Sequence, residues 1–429
     1  MNFDRMRELF LDQAIRGELV SQLAEEGVVE QIGAAPEEVP FKIPESWSWI
    51  RVEELAVKRK TIDPSTLTND EIELWSIPAF DAGVAEKVSP GDIGSSKKVV
   101  QVGDVLLAKI VPHIKRVWVV SESANSLIKL ASTEWLVYAS ELFLPEFMGL
   151  LFRAPYFRTK MMGSVSGMGS LKRANPRILA KVWLPVPPIK EQERIVTRLE
   201  DAFAEIDRAE KAYEELQTLA GVLRGQILQE AIQGKLVPQL VSDGVTKQIA
   251  EAPEEVPFDI PNTWSWIRGE ELAVKRKTID PSTLTNDEIE LWSIPAYDAG
   301  VAEKVSPGDI GSSKKVVQAG DVLLAKIVPH IERVWIVSES ANSLMKLAST
   351  EWLVYASELF LPEFMGLLFR SPYFRTKMME SVSGMGSLKR ANPRTLAKVW
   401  LPVPPIKEQE RIVIKVETLL KQVNLLLTK

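Results

Sequence analysis

The sequence predicts an α+β fold: two near-identical mixed α/β domains in a pseudo-two-fold arrangement, separated by two long antiparallel helices that form a coiled coil. Three observations carry this. Trp47-Ser48-Trp49 returns as Trp264-Ser265-Trp266, and Glu191-Gln192-Glu193-Arg194 as Glu408-Gln409-Glu410-Arg411, both at an offset of 217 residues. A heptad seam runs through Ile195, Leu199, Ala202, Ile206, Ala209, Tyr213, Leu216, Ala220, Leu223 and Ile227. Elsewhere, short β-rich runs alternate with Gly/Pro/Asp turns.

The elements follow in chain order. Residues 1–43 are an N-terminal helical piece and connector, and residues 13–20 match 230–237. Residues 44–187 form the first mixed domain. Val99-Val100 and Val117-Trp118-Val119-Val120 read as strands, Ser89-Pro90-Gly91-Asp92 as a turn, and Phe147 to Met162 as a helix. Trp47, Trp49 and Trp75 read as domain core. Residues 188–260 are the long central helix and its connector, with Gly234 and Pro238 as stop signals. Residues 261–404 repeat the first domain. Between positions 44 and 196 the two copies align without a gap and differ at 11 of 153 positions, among them Phe80/Tyr297, Lys115/Glu332, Gly163/Glu380 and Ile178/Thr395. Residues 405–429 are a C-terminal helix that pairs with the central one and keeps its register through Ile412, Val416, Leu419, Val423 and Leu426. Phe3, Met6 and Phe10 align with Ala220, Leu223 and Ile227, so the terminal pieces make up one interrupted helix. The chain reads as a two-fold repeat on a circle, cut inside one helical segment, which places Met1 near Lys429.

Composition removes several chemistries. The 429 residues contain no cysteine and two histidines, His113 and His330, so disulfide scaffolds, thiolate catalysis and His-rich metal sites are excluded. No phosphate-binding loop of the G-x-x-x-x-G-K-[ST] type is present. Gly167-x-Gly169 lacks the third glycine of a dinucleotide fingerprint, and Asn175-Pro176-Arg177 is not the Asn-Pro-Pro-aromatic site of adenine methyltransferases. Glu191 and Glu193 fall on different helix faces, and His113 reads as a turn histidine. No catalytic constellation assembles, and the chain itself requires no cofactor. No targeting signal and no apolar run of membrane-spanning length occur, so the expected location is cytoplasmic.

The net charge of −6 speaks against nucleic acid until it is divided by segment. Residues 44–187 carry +3 and 261–404 carry +1, whereas 1–43 carry −5 and 188–260 carry −7. Three basic clusters recur in both domains and are the candidate DNA-binding residues. The first is Lys58, Arg59 and Lys60, repeated as Lys275, Arg276 and Lys277. The second is Lys109, Lys115 and Arg116, repeated as Lys326 and Arg333. The third lies in the flexible loop that starts at Gly167: Lys172, Arg173, Asn175 and Arg177, repeated as Lys389, Arg390, Asn392 and Arg394.

The stretch Leu184-Pro185-Val186-Pro187-Pro188-Ile189-Lys190-Glu191-Gln192-Glu193-Arg194-Ile195-Val196, repeated at 401–413, resembles the junction of recognition domain and spacer helix in type I restriction-modification specificity subunits. Phe41 to Trp49 resembles the opening of that family's domain, Gly103 to Ile110 its Gly-Asp-apolar strand motif, and Leu228 to Val237 its helix end. The resemblance implies a non-catalytic subunit that binds double-stranded DNA at a bipartite site. Its partners would be two methyltransferase subunits, with S-adenosylmethionine, and motor-nuclease restriction subunits. ATP and Mg would likewise sit on partners, and no membrane is involved. The family usually carries two unlike domains. Two near-identical ones imply an inverted-repeat target. The rival expectation is a coiled-coil scaffold that binds protein and touches no DNA.

Overall fold

The computed structural model describes residues 2–31, 33–123, 127–167, 172–248, 252–339, 344–386 and 389–428. The chain divides into two compact units, residues 1–212 and 213–429.

The first unit opens with α1 (Phe3–Arg16), which Asn2 caps by accepting from Arg5 N. Gly17 ends it at φ 73°, a left-handed conformation that glycine adopts without steric cost. The globular part is built from β1 (Ser48–Arg51), β2 (Thr61–Ile62), β3 (Ile72–Trp75), α2 (Ile77–Ala82), β4 (Glu86–Val88), β5 (Lys97–Val100), β6 (Val105–Ala108), β7 (Val117–Val119), β8 (Lys129–Ala131), β9 (Trp135–Tyr138), α3 (Pro145–Arg153), α4 (Pro155–Gly163), β10 (Val165–Ser166), β11 (Arg173–Ala174), α5 (Pro176–Leu179) and β12 (Trp183–Val186). The helix α6 (Ile189–Ile232) then runs for 44 residues and passes from the first unit into the second.

The strands form a five-stranded sheet in the order β2-β5-β8-β3-β4, a three-stranded sheet β7-β6-β9, and the pairs β1-β12 and β10-β11. Only the β3-β8 neighbours are parallel in the large sheet. Strand β6 reads Val-Leu-Leu-Ala and is buried throughout. Val105 and Leu107 face one core with α3 and α4, while Leu106 and Ala108 face another with Trp75 and Trp135. The helix expected from Phe147 to Met162 is two helices. Pro155 forces Ala154 to ψ 145°, so α3 stops and α4 starts with proline at its first position. The three tryptophans expected in the core are buried.

In the second unit the strands recur from Ser265–Arg268 to Trp400–Val403 with the same pairings. Its helices are α7 (Ile294–Ala299), α8 (Pro362–Arg370), α9 (Pro372–Glu380), α10 (Pro393–Leu396) and α11 (Ile406–Thr428).

Each unit holds its own antiparallel helix pair. In the first, Arg7 of α1 reaches Asp207 at 2.6 Å and Glu210 at 2.5 Å on α6, and Gln22 beyond α1 reaches Glu191 at the start of α6. In the second, Arg224 of α6 reaches Asn424 of α11 at 2.6 Å, and Gln239 reaches Glu408. The apolar seam is buried at Ile195, Leu199, Ala202, Ile206, Ala220 and Ile227, but Ala209 and Leu223 are exposed. An ideal helix drifts about 20° per heptad from a 3.5-residue repeat, and burial passes to Leu228, Ala231 and Ile232. Met1 and Lys429 lie outside the described residues. Among the described residues no helix is long and apolar enough to cross a membrane.

Candidate nucleic-acid interface

Backbone pairing brings two of the three basic clusters together. Val111 N donates to Lys172 O at 2.9 Å, Ala174 N donates to Lys109 O at 2.8 Å, and Ile110 bridges Arg173. Lys109, Lys115 and Arg116 therefore share one edge of the domain with Lys172, Arg173, Asn175 and Arg177. The second unit repeats this, with Val328 N on Lys389 O at 2.9 Å and Ala391 N on Lys326 O at 2.8 Å. The turn after β6 is strained. Val111 and Lys115 have φ 44° and 59°, and Val328 and Glu332 have 46° and 59°. A β-branched residue at positive φ is rare and costs about 1–3 kcal/mol, so surrounding contacts must hold it. One such contact is the guanidinium of buried Arg158, whose Nη2 donates to Pro112 O.

The first cluster sits at the other end of β6. Arg59 donates through Nε to Asp104 Oδ2 at 2.9 Å and through Nη2 to Oδ1. Asp104 is fully buried, so Arg59 is a strut. Lys58 and Lys60 flank it and are exposed. Arg276 repeats the arrangement on Asp321, with Lys275 and Lys277 exposed.

The arginines of the joined edge also have carboxylate partners. Arg116 makes two bonds of 2.7 Å to Asp81 and holds that carboxyl below the usual range. Arg173 makes two bonds of 3.1 Å to Glu134. Arg333 on Asp298 and Arg390 on Glu351 are the counterparts. Lys109 Nζ donates to Thr133 O at 3.0 Å, and Lys326 Nζ lies 3.9 Å from Glu351. Lys115 Nζ lies 3.1 Å from Glu8 of α1. Asn175 Oδ1 accepts from Arg177 N at 3.0 Å and so caps α5. Asn392 does the same for Arg394 N at 3.0 Å. Lys172, Arg177, Lys389 and Arg394 are exposed. Met168, Gly169, Ser170 and Leu171 of the glycine-rich loop lie outside the described residues, as do Ser387 and Leu388.

Two cations beside this edge escape sequence reasoning. Lys98 lies within β5, donates to Trp135 O at 2.7 Å, and burial pushes its ammonium down. Arg158 lies within α4. Lys98 follows only Lys97 and Arg158 precedes Lys160 by two residues, runs too short to mark a cluster.

The Glu-Gln-Glu-Arg motif has a structural task. Glu191 is buried and accepts from Trp47 Nε1 at 2.9 Å, and burial pushes its carboxyl up. Gln192 Nε2 donates to Leu142 O and Pro187 O at 2.8 Å each, while its Oε1 accepts from Leu144 N at 2.9 Å. Arg194 pairs with Glu26 at 2.7 Å. Through Glu191 and Gln192 the motif fastens α6 to the globular part, and Arg194 ties it to the connector after α1. His113 lies exposed in a turn, as its sequence context indicated. Among the described residues no three acidic or histidine side chains group as metal ligands.

No family profile matches the chain. It is 25% identical over 364 residues to the type I restriction enzyme EcoAI specificity subunit of Escherichia coli, covering 62% of this chain and 61% of that protein. It is 26% identical over 273 residues to the EcoBI specificity subunit of the same species, covering 59% and 56%. The chain thus spans about three fifths of the length of these curated relatives. The MjaVIII specificity subunit of Methanocaldococcus jannaschii is 20% identical over 398 residues, covering 88% and 87%. Among solved structures, the HsdS subunit of Thermoanaerobacter tengcongensis superposes with a TM-score of 0.58 at 20% identity, covering 90% of this chain and 92% of that one. A chain from a study of assembly and conformational transition in a type I restriction-modification system superposes with a TM-score of 0.68 at 19% identity, covering 91% and 94%. By sequence the homologues of this chain are type I restriction enzyme specificity subunits, and by structure its fold is that of the solved HsdS subunits.

Proposed function

We propose that the chain is the DNA-reading specificity subunit of a type I restriction-modification complex, with a bipartite, inverted-repeat target. The observation that carries this reading is the repeated edge: the same two basic segments are knitted together by the same backbone bonds in both units, and every nominated cation but one is retained. Exposed Lys58, Lys60, Lys172 and Arg177, with Lys275, Lys277, Lys389 and Arg394, contact phosphates. Lys109, Lys115, Arg173 and Asn175, with Lys326, Arg390 and Asn392, border Lys172 and Arg177, and Lys389 and Arg394, on the joined edge. Arg59, Arg116, Arg276 and Arg333 hold the segments in place through their carboxylates. The chain is not itself an enzyme. Two methyltransferase subunits dock on it and bring S-adenosylmethionine, restriction subunits bring the ATP- and Mg-dependent motor and nuclease, and the complex acts in the cytoplasm.

Methylome sequencing of cells carrying the system tests the target. The expected result is one short half-site repeated in inverted orientation about a non-specific gap. Two unrelated half-sites would sink the inverted-repeat reading. Filter binding of duplex DNA with the methyltransferase partner tests the DNA role, and an assembled complex with no DNA affinity returns the chain to the scaffold class. Alanine at Arg173 and Arg390 together weakens binding. Alanine at Lys172 and Lys389 together lowers the salt slope by roughly 0.9 for each phosphate left without its lysine.

A further inference from the structure

A cleft beside the helix pair of each unit gathers several of the charge differences between the two copies. Of the 11 differences between the copies, three alter charge: Glu45/Asn262, Lys115/Glu332 and Gly163/Glu380. Lys115, Glu332 and Glu380 line their clefts, and Gly163 adjoins Met162, which lines the first. A fourth change lies outside that tract: Glu8 lines the first cleft, and its counterpart Gly225 lines the second.

At the base of each cleft is a buried arginine, Arg158 or Arg375, each 7% exposed. Their contacts match. Arg158 donates to Pro112 O and to Met161 Sδ at 3.1 Å, and Arg375 donates to Pro329 O and to Met378 Sδ at 3.2 Å. They differ in counter-charge. Glu332 Oε1 lies 3.4 Å from Arg375 Nε. Among the described residues no carboxylate lies within 4.0 Å of Arg158. Burial pulls its guanidinium down to about 10. A buried charge without a partner is costly, and the second unit meets that cost internally.

We propose that the cleft of the first unit, about 440 Å³ in volume, binds a phosphoryl-type oxyanion, and that in the second unit the Glu332 carboxylate occupies the equivalent position. Lys115 and Arg153 stand at the mouth and Arg158 at the base, with Glu8 as the one carboxylate among the lining residues. Arg153 spends Nη2 on Val117 O at 2.7 Å, and the two guanidinium groups beside an ammonium still suit a tetrahedral dianion electrostatically. Glu8 holds the Lys115 ammonium at the mouth at 3.1 Å. The anion is either a backbone phosphate of bound duplex or a free phosphoryl compound. The site stands on Arg158 and its surroundings and does not rest on the DNA reading.

Isothermal titration of the full chain with inorganic pyrophosphate at low ionic strength tests this. Wild type takes up one equivalent. Glu8→Ala/Lys115→Glu/Gly163→Glu, which gives the first cleft the carboxylates of the second, takes up none. Gly225→Glu/Glu332→Lys/Glu380→Gly opens the second cleft and takes up two; the new Cβ at 225 meets only Pro372 Cγ at 3.5 Å. Unaltered melting temperatures show that the variants fold. Zero or two equivalents for wild type, or a stoichiometry the exchanges leave unchanged, would overturn the proposal. A duplex titrated in a salt series identifies the source. A slope lowered by about 0.9 in Glu8→Ala/Lys115→Glu/Gly163→Glu assigns a DNA phosphate, and an unchanged slope assigns a free ligand. A chain that binds pyrophosphate once and no duplex at all loses the DNA reading and keeps the site.

Discussion

Replacing Arg59 with alanine strands a buried carboxylate. Asp104 is 0% exposed, and Arg59 engages both of its oxygens. What remains is one backbone donor, Gln101 N at 3.0 Å. Breaking a buried pair by removing one partner costs about 3–5 kcal/mol. The surviving Gln101 bond and the 22% exposure of the Arg59 side chain put this case at the lower end, about 3 kcal/mol. With a urea slope of about 2–3 kcal/mol per molar, the midpoint of the first unit falls by about 1–1.5 M. Tryptophan fluorescence reads the transition. Arg276→Ala lowers the second unit in the same way through Asp321. Arg59→Leu/Asp104→Leu removes both charges and regains at least half of the loss, because no charge is left unpaired. If Arg59→Ala unfolds at the wild-type midpoint and its DNA affinity collapses, Arg59 is a DNA contact and not a strut.

Gln192→Ala orphans Leu142 O, Pro187 O and Leu144 N, at about 1 kcal/mol each, and urea unfolding shows the first unit weakened by about 3 kcal/mol. Gly17→Ala combines a left-handed φ of 73° with a Cβ driven into the Pro44 ring. Its melting temperature falls further than that of Gly83→Ala, which has a left-handed φ of 81° but open space and loses only about 1–2 kcal/mol. Glu191 has its carboxyl raised by burial, so its contribution to stability is fully present below the ordinary value of 4.5 and is lost as pH rises through its folded value. Urea unfolding across pH 4 to 7 therefore shows wild type losing stability relative to Glu191→Gln as pH rises. A constant difference between the two would remove the burial argument.

The sequence made the repeat and the long helix legible because both are written in local or periodic signals: an ungapped 217-residue offset, and apolar residues at 4-3 spacing. Pro155 was equally visible, yet the break it makes in the helix from Phe147 to Met162 depends on the residue before it leaving the helical region. The clusters were legible as charge but not as roles. Arg59 became a strut only because Asp104, 45 residues on, is folded beneath it. Asn175, a candidate DNA-binding residue, spends its side-chain oxygen on a helix cap two residues away. The parallel β3-β8 pairing joins residues 56 apart, and no local pattern announces it. Arg158 was invisible because nothing around it in the short helix α4 marks it out from Lys160 two residues on, and its meaning emerged from the counter-charge in its twin.

The shared helix has a genetic consequence. An unequal exchange between the two near-identical tracts would delete 217 codons and leave a 212-residue protein, as long as the first unit itself. Crossing over near Val196 would join α1 and one globular part to the tail of α11. The Trp47–Glu191 clamp and the Gln192 bonds would survive intact. Arg7 would not fare as well: Asn424 and Leu427 would replace its two carboxylate partners, Asp207 and Glu210. The shortened product would thus keep a complete core and the fastening of its spacer helix, and its first visible defect would be a looser tether at the amino terminus.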